Sequence, residues 1–299
     1  MKISIIIPTY EGREEELKKL INFLIKMKRE FYEVIVVVDK SEEIKKYLID
    51  IKRKHKLVKI IYSKKRRGRC KAKNLGARIA RGDILLFLDD DVKRLDKNYF
   101  KIIKEDLRSP IVGAVSGREI KRKKKSMIKK FVSSYVGIIT SLGEVISNFD
   151  IYLKEPKIVN ALPGCNFAVK REVFKLAGGF DESYDIGTAY REETDLQLRI
   201  TKLGYKLIFD PRIYVVHEEK ESLATFKKWF RWYYVLNTYF FLKNFNPSLL
   251  KLFFFIYKEF LGSCTRMIIY KRPYPIAYFP KIIEGILYYK KNKKTIPKN

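Results

Sequence analysis

Three consecutive carboxylates, Asp89, Asp90 and Asp91, are the strongest candidates for chemistry in this sequence. They follow the apolar run Ile84–Leu88, and a short apolar run bounded by polar residues is typical of a strand covered on both faces. Carboxylates brought this close repel each other, and a buried one tends to take up a proton. A divalent cation removes the repulsion, and oxygen ligands suit Mg²⁺ or Mn²⁺. The same three residues would also fit a solvated acidic turn, so their surroundings must decide.

Strand-like and helical segments alternate around these carboxylates. The strand-like runs lie at residues 2–7, 34–38, 57–62 and 84–88, and the helical segments lie at 14–27, 44–51 and 72–79. This alternation predicts an α/β fold with a doubly wound, mostly parallel sheet and helices on both faces. Ligands of such sheets bind at the carboxyl ends of the strands, where residues 8–11, Asp39 and the three aspartates follow. The sequence lacks the GxGxxG fingerprint and the P-loop.

The composition indicates an anionic partner and a reducing compartment. The net charge of +30 favours nucleic acid, phospholipid headgroups or phosphorylated substrates. The three cysteines, Cys70, Cys165 and Cys264, form no CxxC pair, which argues against a disulfide framework or a zinc site. The first apolar run stops at Pro8, too early for a signal peptide. The longest uncharged run, residues 131–143, is shorter than the roughly 18 residues of a spanning helix, so we expect a cytoplasmic protein.

The chain changes character after His217. Strand-like runs at 111–115, 167–169, 205–209 and 213–216 and helical segments at 171–176 and 191–203 precede that residue. Beyond it lie about half of the aromatic residues, and Lys and Arg outnumber Asp and Glu more than threefold. We therefore predict an α/β domain over residues 1–217 and a basic, aromatic-rich helical extension over 218–299.

Four motifs in residues 3–217 together resemble the family 2 glycosyltransferases, which have the GT-A fold. They are IIIPTYEGREEEL, KNLGARIARGDILLFLDDDV, GCNFAVKREVFKLAGGFDE, and REETDLQLRITKLGYKLIFDP followed by His217. Each motif alone is weak, but their order and spacing are specific. The resemblance implies that a sugar moves from a nucleoside diphosphate donor to an acceptor hydroxyl with inversion at the anomeric carbon.

The resemblance also implies roles for individual residues. Asp91 is the usual metal contact, Asp89 lies nearer the ribose and also serves the metal, and His217 often completes the metal site. Glu193 is the candidate catalytic base, with Gly164, Asn166 and Glu192 on the acceptor or donor-sugar side. The positions that bind the nucleotide sugar are Pro8, Thr9, Tyr10, Glu11, Asp39, Lys73, Asn74, Asp89 and Asp90. The metal would be Mg²⁺ or Mn²⁺, offsetting the charge that develops on the leaving diphosphate.

Three departures from the family pattern bear on these roles. The acidic pair Glu192–Glu193 stands where the family usually has Glu-Asp, and Asp39-Lys40 stands where many relatives have two acids. Lys73 takes the position of an arginine. A nucleotidyltransferase could share the nucleotide-binding half, and a basic nucleic-acid-binding protein would fit the charge, although no nucleic-acid-binding motif is present. The sugar, the base and the acceptor are not predicted.

Two segments indicate contact with a membrane surface. In residues 121–149 a basic run leads into an apolar stretch. In residues 223–289 aromatic residues fall at helical spacing with Lys and Arg between them, which suits the headgroup layer. The aromatic stripe includes Phe226, Trp229, Phe230, Tyr233, Phe240 and Phe241. We expect a peripheral protein on the cytoplasmic face with a lipid-linked acceptor, although these helices could instead pack on the sheet domain or form a homodimer.

Overall fold

The computed structural model describes residues 1–121, 135–187, 189–217 and 223–293. The strands are β1 (Ile3–Tyr10), β2 (Glu33–Asp39), β3 (Val58–Ser63), β4 (Ile84–Leu88), β5 (Val92–Leu95), β6 (Val112–Lys121), β7 (Ile138–Ile139), β8 (Val145–Ile146), β9 (Lys157–Val159), β10 (Asn166–Lys170) and β11 (Lys206–His217). The helices are α1 (Glu14–Lys26), α2 (Glu42–Lys54), α3 (Arg69–Ile79), α4 (Tyr99–Asp106), α5 (Arg171–Leu176), α6 (Glu192–Lys202), α7 (Leu223–Phe245), α8 (Leu249–Tyr270), α9 (Tyr274–Ala277) and α10 (Lys281–Asn292).

The central sheet has the strand order β3-β2-β1-β4-β10-β6-β11-β5. In addition, β9 pairs with the amino-terminal half of β11 at residues 207–209. The first four strands are parallel, and β6 and β11 are parallel to each other. Between these two groups, β10 is antiparallel to both of its neighbours. The carboxyl ends of β1, β2, β4, β6 and β11 and the amino end of β10 therefore meet at one edge of the sheet.

Alternate residues of the strands feed two hydrophobic cores, one on each face. In β1, Ile3, Ile5 and Ile7 pack with α1, α2 and α4, whereas Ile6 packs with α3 on the other face. The second core also contains side chains of α5, α6 and α7. Burial on both faces explains why the central strands are continuous apolar runs. The predicted mostly parallel α/β fold is confirmed.

The structure corrects one local prediction and adds features that were not predicted. The two strands expected at 205–209 and 213–216 form one strand, β11, whose register shifts between Asp210 and Tyr214. Pro211 lies in this irregular stretch, because proline cannot donate a ladder hydrogen bond. The antiparallel direction of β10, the strand β5 and the helix α4 were not predicted.

The helices after His217 pack against the sheet domain. Within α7, Leu236, Tyr239 and Phe240 are part of the second core. The aromatic stripe predicted to lie at a membrane is therefore largely internal: Phe230, Tyr233, Phe240 and Phe241 are all buried. A helical stripe can be covered by protein as well as by lipid, and periodicity does not distinguish the two. Among the described residues, no helix combines the length and apolar character that crossing a bilayer requires.

Candidate active site

Strands β4 and β11 bring Asp89, Asp91 and His217 together at the carboxyl edge of the sheet. Their ligand atoms all lie within 4.8 Å of one another. The His217 Nε2 atom is 2.8 Å from Asp91 Oδ1, and both side chains are buried. Asp89 is partly exposed. Two carboxylates and an imidazole form a donor set that suits Mn²⁺ or Mg²⁺, so the residues present fit a divalent cation.

The aspartates at this edge differ in their protonation. Burial raises the pKa of Asp90 to about 7, although Arg13 and a 2.7 Å hydrogen bond from Thr9 favour its ionised form. Burial also opposes the ionisation of Asp91, but the hydrogen bond with His217 and the charges of His217 and Arg13 together outweigh burial and keep the pKa of Asp91 below its usual range.

The imidazole of His217 carries the charge that compensates these carboxylates. Burial alone would lower the pKa of His217, but hydrogen bonds to Asp91 and Glu119 raise it to about 10. The ring is therefore protonated at neutral pH in the absence of a cation. Metal ligands must be deprotonated, so binding of a divalent cation would release this proton.

Glu119 and Arg13, which the sequence analysis missed, hold these side chains in place. Glu119 Oε1 is 2.7 Å from His217 Nδ1, where it can accept the ring N–H and leave Nε2 for a cation. Arg13 Nη1 lies 3.1 Å from Asp91 Oδ2. The two contacts join residues 98 and 78 positions apart, so no local pattern could reveal them. Glu119 also lies beyond the strand predicted at residues 111–115, so the predicted strand end did not indicate it.

A buried lysine and the acidic pair form a second cluster beside the first. Lys73, on α3, donates from Nζ to Glu193 Oε1 at 2.6 Å and lies 3.7 Å from Glu192 Oε1. Both glutamates begin α6; Glu192 is buried, whereas the side chain of Glu193 is 16% exposed. Gly164 makes room for this arrangement, because a Cβ there would lie 2.5 Å from Glu193 Cδ.

Electrostatics give the two glutamates opposite states. Burial would raise the pKa of Glu193, but the cations Lys73 and Arg69 outweigh it and lower the pKa to about 2. Burial and the charge of Glu193 raise the pKa of Glu192 well above its usual range. These surroundings favour the ionised form of Glu193 and the neutral form of Glu192. Arg69, also missed, is 3.6 Å from Glu192 and interacts with Asp89, so it links the two clusters.

The predicted nucleoside residues at the end of β1 have different surroundings. Pro8 lies inside β1, opposite Val37. Thr9 is buried against Asp90. Tyr10 is partly exposed, and the guanidinium of Arg66 lies 4.8 Å from its ring centroid. Arg13 also lies over this ring, at 5.6 Å from its centroid, so Tyr10 is the aromatic member of this group and is flanked by two cations.

The predicted nucleoside residues near the end of β2 are paired with cations. Asp39 accepts hydrogen bonds from the backbone N–H of Arg67 at 2.7 Å and from its Nε at 2.8 Å. Glu11 is exposed and lies 3.5 Å from Lys40 Nζ. The side chain of Arg67 is therefore engaged by Asp39 in this structure.

Two predicted site residues make bracing contacts. The side-chain amide of Asn74 donates to the carbonyl of Phe180 and accepts from its N–H, both at 2.9 Å, and so holds the turn before α6. Asn166 is fully buried and accepts from Ser116 Oγ at 2.7 Å. Its Nδ2 has no hydrogen-bond partner within the described part of the chain.

The C-terminal helices hold the residue that precedes the acidic pair. Arg191, the N-cap of α6, is not a glycine yet has φ +77°, a conformation that costs about 1–3 kcal/mol and needs support. Its Nε donates to Asn237 Oδ1 on α7 at 3.0 Å, and its guanidinium lies over the ring of Phe240. Asn237 in turn donates to the buried Glu259 on α8 at 3.0 Å. The start of α6 therefore depends on contacts with α7 and α8.

A family model described as "Glycosyl transferase family 2" matches residues 4–177 of the chain. A probable glycosyltransferase of Bacillus subtilis, YdaM, is 26% identical over 237 residues, which are 77% of this chain and 53% of YdaM. An uncharacterized glycosyltransferase of Haemophilus influenzae is 26% identical over 232 residues, covering 75% of this chain and 71% of that protein. The chain thus spans about half the length of YdaM.

Solved structures share the GT-A fold of this chain. A mannosyltransferase from Pyrobaculum calidifontis in complex with GDP-Man and Mn²⁺ has a TM-score of 0.60 at 19% identity, over 98% of this chain and 88% of that one. GalNAc-T7 with UDP, GalNAc and Mn²⁺ has a TM-score of 0.62 at 21% identity, over 81% of this chain and 50% of that one. At this level of identity the likeness establishes the fold.

Proposed function

The chain belongs to the family 2 glycosyltransferases, and we propose that it moves a sugar from a nucleoside diphosphate sugar to an acceptor hydroxyl with inversion. The observation that carries this proposal is the convergence of two clusters at one sheet edge: Asp89, Asp91 and His217 beside Lys73 and Glu193. The first suits a cation at a diphosphate, and the second offers an ionised carboxylate. The family match favours glycosyl transfer over the nucleotidyltransferase and nucleic-acid-binding alternatives.

Asp89, Asp91 and His217 would hold Mn²⁺ or Mg²⁺. When bound, the cation would neutralise charge on the leaving diphosphate. Both the GDP-Man complex of the P. calidifontis enzyme and the UDP complex of GalNAc-T7 contain Mn²⁺, which supports a divalent cation here. Arg69, which interacts electrostatically with Asp89, adds positive charge on the same side.

Glu193 is the proposed base. Its carboxylate takes the proton of the acceptor hydroxyl as the acceptor oxygen bonds to the anomeric carbon and the bond from that carbon to the diphosphate oxygen breaks. Inversion requires the base on the face opposite the leaving group. The contact with Lys73 supports this role because it favours the ionised form of Glu193, whereas burial of Glu192 favours its neutral form.

The remaining predicted residues take roles that their contacts support. Tyr10 would stack on the nucleobase, with Asp39 and Glu11 nearby, while Pro8 and Thr9 shape the end of β1. Gly164 would leave space for Glu193 beside the acceptor or the donor sugar. Asn74 and Asn166 would position backbone around the site through their bracing contacts.

The acceptor is proposed to be lipid-linked, with α8 against an anionic membrane surface. Exposed apolar side chains cluster on α8; the largest are Leu249, Leu250, Phe253, Phe254, Tyr257, Phe260, Leu261, Ile268, Ile269 and Tyr270. The only acid of α8, Glu259, is buried, and the exposed residues Lys271 and Arg272 follow the helix. An apolar face edged by cations complements anionic lipid. Part of the first predicted segment, residues 122–134, lies outside the described residues.

The donor is tested by offering UDP-, GDP- and dTDP-sugars with Mn²⁺ or Mg²⁺. We expect one donor to give cation-dependent release of nucleoside diphosphate and a product of inverted anomeric configuration by NMR. Retained configuration would refute Glu193 as a direct base. Release of pyrophosphate from a nucleoside triphosphate would support a nucleotidyltransferase instead.

Membrane binding is tested by flotation with vesicles that contain anionic lipid. Removing residues 223–299 would expose the second core, so a surface substitution is the better probe. Leu250→Asp, at a side chain 66% exposed on α8, should abolish flotation at low salt, because it places a carboxylate against the anionic surface. Leu176→Asp, at a similarly exposed leucine (63%) on α5, should leave flotation unchanged. Wild-type protein that stays at the bottom, with a dimer broken by Leu250→Asp, would assign the face to dimerisation.

A further inference from the structure

A second group of potential metal ligands shares His217 with the proposed active site. It consists of Glu119 near the end of β6, Cys165 in the turn before β10 and His217, whose ligand atoms all lie within 4.8 Å of one another. Cys165 and His217 are buried, with Cys165 only 5% exposed. Tetrahedral zinc holds such atoms on the order of 3.5 Å apart, so small side-chain movements would complete three protein ligands.

One carboxylate of each group contacts a different nitrogen of the same imidazole. Nε2 of His217 lies 2.8 Å from Asp91, and Nδ1 lies 2.7 Å from Glu119. The group with Asp89 and Asp91 offers hard carboxylate oxygens beside the nitrogen, which suit Mn²⁺ or Mg²⁺. The group with Cys165 adds a thiol, and thiolate ligands select Zn²⁺ over these harder cations. The donor sets therefore differ in the cations that they prefer.

We propose that Glu119, Cys165 and His217 Nδ1 form an inhibitory zinc site. On binding, the Cys165 thiol and the Nδ1–H of the protonated His217 ring each release a proton to solvent, and no electron is transferred. Water can fill the fourth position. With Nδ1 on zinc, the proton of the neutral imidazole resides on Nε2 and is donated to Asp91. His217 can then no longer bind a cation together with Asp89 and Asp91. Zinc binding does not depend on the proposed function, whereas inhibition rests on it.

The cysteine spacing gave no sign of this site. The absence of a CxxC pair argued against a zinc site, but this criterion detects only ligands that lie close together in the chain. Here the ligands come from β6, from the turn before β10 and from the end of β11, and the fold alone brings them together.

Binding is measured with Co²⁺, whose thiolate complexes give an intense near-ultraviolet charge-transfer band. Wild-type protein should show this band, and Zn²⁺ should remove it by competition. Cys165→Ser and Cys165→Ala should lack it, while Cys264→Ser, at a half-buried cysteine on α8, should keep it. A band that survives in both Cys165 variants, or its absence from wild type, overturns the proposal. This readout requires no sugar transfer, so it separates the zinc site from the proposed function.

Inhibition is measured on the Mn²⁺-supported reaction with the donor found above. Cys165→Ser should retain transfer without zinc but need at least about tenfold more Zn²⁺ for half inhibition, since even outer contacts of metal ligands change affinity 10–100-fold. Cys264→Ser should respond like wild type. Equal zinc sensitivity in wild type and both Cys165 variants would mean that zinc acts by replacing Mn²⁺ and would refute inhibition through this site.

Discussion

Glu193→Gln should separate catalysis from binding at the proposed base. The amide preserves the size of the side chain but cannot take the acceptor proton. We expect turnover to fall about 10²–10⁴-fold, the usual effect of removing a general base, with donor affinity close to wild type. The neighbouring Glu192→Gln is the matched control. Burial favours the neutral form of Glu192, so a neutral amide should replace it with little change in turnover.

The same pair of variants tests the electrostatics of Lys73. Removing one member of a buried ion pair costs about 3–5 kcal/mol when the other charge is left alone. Glu192 lies 3.7 Å from the same Nζ, and loss of the charge on Glu193 removes one cause of its raised pKa. In Glu193→Gln, Glu192 should therefore ionise and become the ion-pair partner of Lys73. The free energy of unfolding of this variant should then fall by less than about 3–5 kcal/mol.

The pH dependence of this effect has a defined sign. The folded pKa of Glu193, about 2, lies below its ordinary value of 4.5. The resulting stability is present above pH 4.5 and is lost as the pH falls toward 2. The stability difference between wild type and Glu193→Gln, from urea unfolding, should therefore be smaller at pH 3 than at pH 7.

Single-turnover rates with saturating donor and acceptor, with donor binding by calorimetry, decide the assignment. Wild-type turnover in Glu193→Gln together with a large loss in Glu192→Gln would move the base to Glu192. Loss of donor binding in Glu193→Gln would show that the pair binds substrate rather than accepting the proton.

Two further predictions concern residues that support the site. Glu119→Gln should weaken Mn²⁺ affinity about 10–100-fold, because Glu119 orients His217, and excess Mn²⁺ should restore turnover. The control Glu105→Gln on α4 should not alter the Mn²⁺ requirement. A loss of turnover that excess Mn²⁺ cannot restore would contradict this role. Asn237→Ala should lower kcat without raising the donor KM, because it removes the hydrogen bond that holds Arg191 before the acidic pair. Glycine adopts φ +77° without strain, so adding Asn237→Ala to Arg191→Gly should cause little further loss of kcat. Additive effects of the two substitutions would refute this contact as the cause.

The sequence predicted what depends on neighbouring residues. The apolar runs of β1, β2 and β4 were located to within a few residues, because strands covered on both faces need continuous apolar sequence. Asp89 and Asp91 were located by the rule that ligands bind at the carboxyl ends of parallel strands, whereas His217 was implied by the resemblance to the family. The antiparallel direction of β10 was not predicted, since strand direction depends on pairing with β4 and β6 far along the chain.

The contacts that organise the site were beyond sequence reasoning for the same reason. Arg13 reaches Asp91, Glu119 reaches His217 and Arg69 reaches Glu192, each across a long stretch of chain. The interruption at Pro211 led to the prediction of two strands where the structure has one, β11. The aromatic stripe of α7 has the periodicity of an interfacial helix, yet it is buried in protein, and the exposed apolar face belongs to α8.

The central claim is that Asp89, Asp91 and His217 hold the divalent cation on which sugar transfer depends. The most direct test is a Mn²⁺ titration monitored by electron paramagnetic resonance, in parallel with transfer, for EDTA-treated wild type and Asp91→Asn in the presence of donor. We predict that wild type regains transfer as the free Mn²⁺ signal is lost to protein, and that Asp91→Asn neither binds Mn²⁺ with comparable affinity nor recovers transfer. Full transfer by EDTA-treated wild type, or Mn²⁺ binding and transfer by Asp91→Asn equal to wild type, would contradict the claim.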